Sequence, residues 1–406
     1  MRWLLAFTFL FFTFVTAAIA QTSRVGGTIE GTVTDASGGS VAAASVRIRE
    51  QSTNRTRIIH ADQQGLFRAT DLPVGIYEVC AEDSGFAPYL HTGLQLELGA
   101  NIHLDIVLAP ASAKTTVTVT AQPSALEPTE TSITSVVDRE RIEELPVESR
   151  NALDFVLIEP AVAESPQGHG SPHTALADSG FTFGGLRARS NSISIDGLDN
   201  NDEFTGSSRT ELSPEIVQEY QVVHNGLLAE FGGASGGSIN VVTRTGSNVI
   251  HGDTFIFLQD SALNARDPFE TDSGKPAFRR FRAGFSIGGP LVKNRTFYYT
   301  AFEQEHNRGQ NGSTIDPATA SAVNTFLATG AFPGLTTRRI TTGFFPIARA
   351  ETEASGKLDH QITPRNSLML RYAFTNNREP GGGFNTGGLE DASARGSSFI
   401  SDHALA

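Results

Sequence analysis

Beyond its first twenty residues the chain has no apolar run long enough to cross a bilayer as a helix, which takes about 20 residues. Its second half instead consists of short segments in which apolar and polar side chains alternate. Gly252–Gln259, Phe281–Gly288, Thr296–Glu303, Ala354–Ile362, Ser367–Thr375 and Ser398–Ala406 follow a period of two, the period of a strand with two unlike faces. In the second of these, Phe281, Ala283, Phe285 and Ile287 form the apolar set, and Arg282, Gly284, Ser286 and Gly288 the small or polar one. Lipid offers no partner to backbone N–H and C=O groups, so strands cross it only in a wall where each is paired. The connections alternate between short ones (Pro290–Asn294, Thr363–Asn366) and long polar ones (His306–Arg349, Asn376–Gly396). That alternation is the habit of outer-membrane walls, with tight turns on one side and loops on the other.

The excepted apolar run lies at the start. Met1-Arg2, an apolar stretch from Trp3 to Val15, and Ala18-Ile19-Ala20 before Gln21 read as a secretory signal peptide over residues 1–20. A net charge of −13, with only four lysines and no basic run, excludes a nucleic-acid footprint. A single cysteine, Cys80, forbids an internal disulfide and a Cys-based metal site. No phosphate-binding loop or dinucleotide fingerprint occurs, so no cofactor is expected.

Residues 26–110 read as an antiparallel β-sandwich of short strands with Gly and Pro between them. Gly31–Asp35 and Ser45–Arg49 are expected to pair across the turn-rich Ala36–Ser40, with further strands at Arg57–His60, Leu66–Ala69, Gly75–Ala81 and Asn101–Leu108. Gly31-x-Val33-x-Asp35, Gly65-x-Phe67, Leu72-Pro73-x-Gly75-x-Tyr77-x-Val79 and Gly85-Phe86 resemble the carboxypeptidase regulatory-like domain, a starch-binding-like sandwich whose name implies no peptidase activity. Phe67, Leu72 and Tyr77 are read as core and not as a sugar platform, since no cluster of exposed aromatics is visible.

Residues 111–128 are small, polar and Pro-containing, as a linker is, and enclose the alternating β-branched run Thr115-Thr-Val-Thr-Val-Thr-Ala121. A lone strand of this kind can add to another protein's sheet edge, although it also reads as the last strand of the sandwich. Over 129–248 come an acid-capped helix from Asp138, an amphipathic helix at Ala152–Ile158, Gly184-Gly-Leu-Arg187, Ile195-Asp-Gly197, Ile216-Val-Gln-Glu-Tyr-Gln-Val222, and Glu230-Phe-Gly232 followed by Gly237-Ser-Ile-Asn-Val-Val-Thr243. This ordered series resembles the plug of TonB-dependent outer-membrane transporters in their Oar-like branch, which carry an N-terminal regulatory sandwich; Phe231 stands where that pattern has Tyr.

The resemblance implies a mostly β architecture: sandwich, α+β plug over 129–248, then from 249 to 406 the first strands of a transmembrane barrel. It implies a TonB box at Val117, Thr118, Val119, Thr120 and Ala121. It also implies plug-motif roles for Gly185, Arg187, Asp196, Gly197, Glu230, Gly232, Gly237, Asn240 and Thr243. The partners it implies are a TonB-type energy-transducing protein, outer-membrane lipid, and a substrate such as a peptide, glycan or siderophore, with the sandwich in the periplasm. Plugged barrels use 22 strands, and about six are counted here, so the sheet is expected to stay open and the chain to be the N-terminal part of a longer protein.

Two other classes fit parts of the sequence: a surface carbohydrate-binding or adhesion protein, and a serine hydrolase. Gly233-Ala-Ser235-Gly-Gly237 matches G-x-S-x-G, but a β-run follows where the nucleophile elbow needs a helix. The acids Asp196, Asp199, Asp202 and Glu203 lack calcium-loop spacing and read as a solvated loop, as do His169 and His173, so no metal site is expected.

Overall fold

The computed structural model describes residues 25–111, 117–119, 133–145, 150–165, 178–203, 206–225, 233–265, 275, 277–313, 315–330, 339–364, 366–380 and 397–405. The first unit is a sandwich of β1 (Gly26–Asp35), β2 (Ser45–Glu50), β3 (Thr56–His60), β4 (Leu66–Pro73), β5 (Gly75–Glu82), β6 (Tyr89–Leu96), β7 (Asn101–His103) and β8 (Ile106–Leu108). One sheet runs β4-β1-β7, with β8 also on β1; the other runs β3-β2-β5-β6 and gains β9 (Val117–Val119) at its edge.

The sandwich departs from the sequence pattern in two ways. β1 and β2 do not pair but lie in opposite sheets, because the chain crosses the core between them, with Ala43 at φ 61° and Ala44 fully buried. Nor is the sandwich wholly antiparallel: β7 and β8 run parallel to β1, and β9 runs parallel to β6. Phe67, Leu72 and Tyr77 are core side chains, and the Tyr77 hydroxyl donates to the Pro73 carbonyl at 2.6 Å.

The second unit is built on the sheet β10-β15-β16-β13-β14, from β10 (Ile133–Val137), β13 (Ser192–Ile195), β14 (Leu198–Asp199), β15 (Val217–Asn225) and β16 (Ser238–Thr243), with β11 (Val162–Glu164) and β12 (Phe181–Phe183) as a separate pair. Every residue of β16 is buried, because β15 and β13 flank it within the sheet and both its faces are covered. The helix Arg139–Glu144 starts where expected, Asp138 accepting from the Arg141 N–H at 2.9 Å. Ala152–Ile158 is a 3₁₀ helix capped by Asn151.

The third unit is a six-stranded antiparallel meander of β17 (His251–Asp260), β18 (Phe278–Val292), β19 (Thr296–Gly312), β20 (Phe344–Thr363), β21 (Asn366–Pro380) and β22 (Ser397–Leu405). Its outer face carries Ile256 and Leu258, about 70% exposed, with Phe281, Phe285, Ile287, Leu368 and Leu370. Its inner face carries Ser286, Glu303, Glu305, Glu351, Lys357 and Arg371, all buried against the second unit. The assignment of faces along β18 is therefore as the alternation implied. Strands run longer than the pattern suggested: Asn307–Gly312 pair with Phe344–Arg349, and Pro290 lies inside β18 opposite Phe297. Paired strands that continue past the apolar band lose the lipid-facing alternation, so their ends look like loop. A helix at Pro317–Ala328 also went unread, although Asp316 before a proline is a helix-start signal and its carboxylate accepts from the Thr319 N–H at 2.9 Å.

The sandwich rests on both other units. Asn248 N–H donates to the Ser52 carbonyl at 2.9 Å, Asn54 Nδ2 to Asn294 Oδ1 at 2.9 Å, and the Leu98 N–H to the buried carboxyl of Glu219. Burial pushes Glu219 up to about 8, against the pull of the Leu98 N–H. From the ordinary carboxylate range up to about pH 8 the docked carboxyl therefore keeps a proton that an undocked one releases. Docking weakens as pH rises through that window, by about 1.4 kcal/mol per pH unit at most. Glu219→Gln is expected to remove this dependence, so that thermal unfolding midpoints at about pH 5.5 and about pH 8 converge; a mutant retaining the wild-type slope would show that another group titrates.

Candidate functional site

The sheet of the second unit meets the meander, the wall, at a buried charge. β13 ends at Ile195, and the chain turns back into β14 through Asp196 and Gly197, at φ 50° and 83°. Glycine takes that conformation freely and Asp better than most residues, which fits Asp-Gly at this turn. The turn aims the Asp196 carboxylate at β16, where it accepts from the Thr243 N–H at 2.9 Å and the Thr243 hydroxyl at 2.6 Å. Two wall cations close on it from neighbouring strands, Arg371 Nε at 2.9 Å and Lys357 Nζ at 3.3 Å. Lys357 also donates to the Thr243 carbonyl at 3.0 Å. Burial alone would raise the Asp196 carboxyl, but Lys357, Arg371 and the Thr243 hydrogen bonds together hold it below its ordinary value.

Lys357 and Arg371 are directly opposed on β20 and β21. Like charges so placed repel, and Asp196 is what makes the pair tolerable. Unpairing a buried ion costs about 3–5 kcal/mol, so the junction ties the second unit firmly to the meander.

A second bridge lies beside it. Arg150 Nη2 reaches Glu215 at 2.8 Å, the Arg150 guanidinium lies 4.2 Å from the Phe255 ring centroid, and Ser213 Oγ donates to wall Glu303 at 2.6 Å. The Tyr299 hydroxyl donates to the Glu215 carbonyl at 3.1 Å.

The residues singled out in the sequence fall into three groups. Asp196, Gly197, Asn240, Thr243 and Gly237 converge around β13 and β16: Asn240 accepts from Ser194 Oγ at 3.0 Å, and a Cβ on Gly237 would sit 2.4 Å from the Phe183 ring. Gly185, at φ 78°, and exposed Arg187 form the turn after β12, apart from the junction. Glu230, Gly232, Thr120, Ala121, His169 and His173 lie outside the described residues. Val117, Thr118 and Val119 form β9, so the run that was expected to lack a pairing neighbour lies along Tyr89–His91. Asp196 is no part of a solvated acidic loop, unlike exposed Asp199 and Glu203. Ser235 is exposed on a turn that leads into a strand and not a helix.

Lys357 and Arg371 were missed. The available signal was Lys357 itself, one of four lysines in the chain and set at an inward position of an alternating strand.

Residues 28–109 match the model of the carboxypeptidase regulatory-like domain, and residues 242–341 that of an outer membrane beta barrel domain. Over 309 residues the chain is 29% identical to the TonB-dependent transporter Oar of Myxococcus xanthus, a match covering 74% of this chain and 28% of that protein. In sequence the chain is thus similar to the TonB-dependent transporters of the Oar-like branch. Among solved structures it is similar to the siderophore receptor PirA of Acinetobacter baumannii (19% identity, 64% of this chain, 33% of that chain, TM-score 0.38). It is also similar to the outer membrane transporter YddB of Escherichia coli (15% identity, 61% of this chain, 33% of that chain, TM-score 0.46). This Oar-like chain thus spans about a third or less of the length of these relatives, which are transporters and receptors. Its place is the outer membrane of a Gram-negative-type bacterium.

Proposed function

We propose that this Oar-like chain carries the periplasmic sandwich, the plug and the first wall strands of an active transporter for a peptide, glycan or siderophore. In this reading an energised TonB-type partner adds a strand to Val117–Ala121 and pulls, the plug shifts against the wall, and no bond in the substrate is made or broken. Its outer apolar face meets lipid. The observation that carries the reading is the Asp196 junction: a single buried carboxylate shared between the plug strand β16 and two wall strands is a device that holds until displaced. Glycines at 185, 197 and 237 support it as positions where the plug backbone turns or packs too closely for a side chain.

The partner contact is tested by placing single cysteines at positions 117 to 121 in a Cys80→Ser background and oxidising with the periplasmic domain of a TonB-type protein carrying cysteines on its sheet edge. Crosslinks alternating in strength along the run are expected, because successive residues of an added strand face opposite sides. Val119→Pro, which lacks an N–H and fixes φ, is expected to abolish them. No crosslink at any position, or crosslinks that survive Val119→Pro, would overturn the assignment.

A further inference from the structure

Facing each other on β19 and β20, inside the wall, are two pairs of carboxylates in register: Glu303 opposite Glu353 and Glu305 opposite Glu351. Four like charges in such an array repel, and the plug adds a fifth, Glu211, whose carboxylate lies within 4.8 Å of those of Glu351 and Glu353. Arginines answer part of this charge. Arg282 and Arg150 pair with Glu303, Arg282 and Arg280 with Glu305, and Arg349 with Glu351 at 2.9 Å and with Glu211 at 4.0 Å. Oε2 of Glu353 is buried without a hydrogen bond, as is Oε1 of Glu351. Arg349 is thus divided between Glu211, Glu351 and, at 4.0 Å, Glu379.

A second observation is independent of the carboxylates. Asn377, on β21 directly opposite Glu351 and on the same inward face, is 5% exposed, and neither its amide oxygen nor its nitrogen has a hydrogen-bond partner. A buried amide left wholly unpaired costs about 1–3 kcal/mol, and its oxygen is a hard donor. Next to the carboxylates a cavity of about 160 Å³ lies between plug and wall, where the acids Asp154, Asp178, Glu211, Glu305, Glu351 and Glu353 outnumber the arginines Arg150, Arg280, Arg282 and Arg349. That volume takes a cation with water molecules completing its shell.

We propose that Glu211, Glu351, Glu353 and Asn377 form a calcium site that bridges plug and wall. Oxygen ligands alone select a hard cation. Donors drawn from a loop of the plug and two wall strands form an irregular set that Ca²⁺ tolerates and Mg²⁺, which demands near-ideal octahedra, does not. The site stands on the wall half nearer the long loops, separate from the Asp196 junction, and it does not depend on what the protein transports.

The test uses the full chain, stripped with chelator, and Ca²⁺ as the probe. Equilibrium dialysis is expected to find one saturable Ca²⁺ with an affinity of roughly 0.1–1 mM, the range of extracellular modules, and Ca²⁺ is expected to raise the thermal midpoint. Glu353→Gln keeps the shape and removes one repelling charge. Without Ca²⁺ it should match or exceed the wild type in stability, while its Ca²⁺ affinity falls at least tenfold. Asn377→Ala should weaken binding without altering the chelated midpoint downward. A wild-type chain with no saturable Ca²⁺, a Glu353→Gln variant that binds as tightly as wild type, or equal stabilisation by Mg²⁺ would each overturn the site.

Discussion

Replacing Asp196 by alanine is expected to free the plug sheet from the wall, at a cost of about 3–5 kcal/mol. That is the usual penalty for removing one member of a buried ion pair and leaving the other without compensation. Here two cations are stranded, Arg371 and Lys357, both nearly inaccessible to water. Thr243 loses the acceptor for its hydroxyl and its N–H in the same step. Alanine also fits φ 50° poorly, so part of the loss is local strain. Asp196→Asn separates the two effects, because asparagine tolerates that backbone and can still accept from Thr243, while its charge is gone. The measurements are the denaturant midpoint of the folded chain and the rate at which protease cuts residues 178–243. Asp196→Asn combined with Lys357→Met and Arg371→Met should recover most of the loss, as apolar replacement of a whole buried ion cluster often does. Because the Asp196 carboxyl sits below its ordinary value, its contribution is complete above the usual carboxylate range and is lost only as pH falls through the lowered value. Mild acid should leave the junction closed. If Asp196→Ala unfolds at the wild-type midpoint, the charge cluster is not what holds plug to wall.

The second large effect belongs to the sandwich. A Cβ placed on Gly31 would lie 1.9 Å from the carbonyl oxygen of Leu104 and 2.6 Å from its carbon. That contact is backbone on backbone, so no rotamer change relieves it. It falls where β1 passes from β7 to β8, with the Leu104 N–H donating to the Glu30 carbonyl at 2.8 Å, so moving Leu104 away breaks the parallel pairing on both sides. Gly31→Ala is expected to destabilise the sandwich by about 3 kcal/mol or more, beyond ordinary overpacking, since the backbone itself must shift. Gly38→Ala is the control: its φ is 85°, but nothing lies within 4 Å of the added carbon, so about 1 kcal/mol of backbone strain is the whole cost. Thermal unfolding of the two variants beside wild type decides the matter, and equal losses would mean that the backbone at Leu104 gives way cheaply and the close approach is not what requires Gly31.

Much of this was legible in the sequence because it depends on period alone. Phe281, Phe285 and Ile287 point outward and Ser286 inward because a pleated strand permits nothing else. Asp196 and Thr243 were marked as motif residues, but the cations that give them their role lie 161 and 175 residues away from Asp196 in the chain, and no local pattern encodes such a pairing. Strand partners were hard to read for the same reason: alternation in Gly31–Asp35 and Ser45–Arg49 identifies two strands and says nothing about which sheet each joins. The glutamates at 303, 305, 351 and 353 look like any solvated face until the meander sets them opposite one another.

The pairing of β9 with β6 covers only three residues, Val117 to Val119 against Tyr89 to His91. A partner that takes the β6-facing side of those residues competes for backbone groups already engaged, whereas the other side of β9 is the edge of the sheet. At a net of about 0.5–1.5 kcal/mol per hydrogen bond, a ladder this short holds with roughly 2–4 kcal/mol, which lowers an incoming strand's apparent affinity by about 30- to 1,000-fold. Under the proposed transport reading the sandwich edge would act as a clutch: a partner drawing the strand off β6 must outbid these three residue pairings before force passes along the chain.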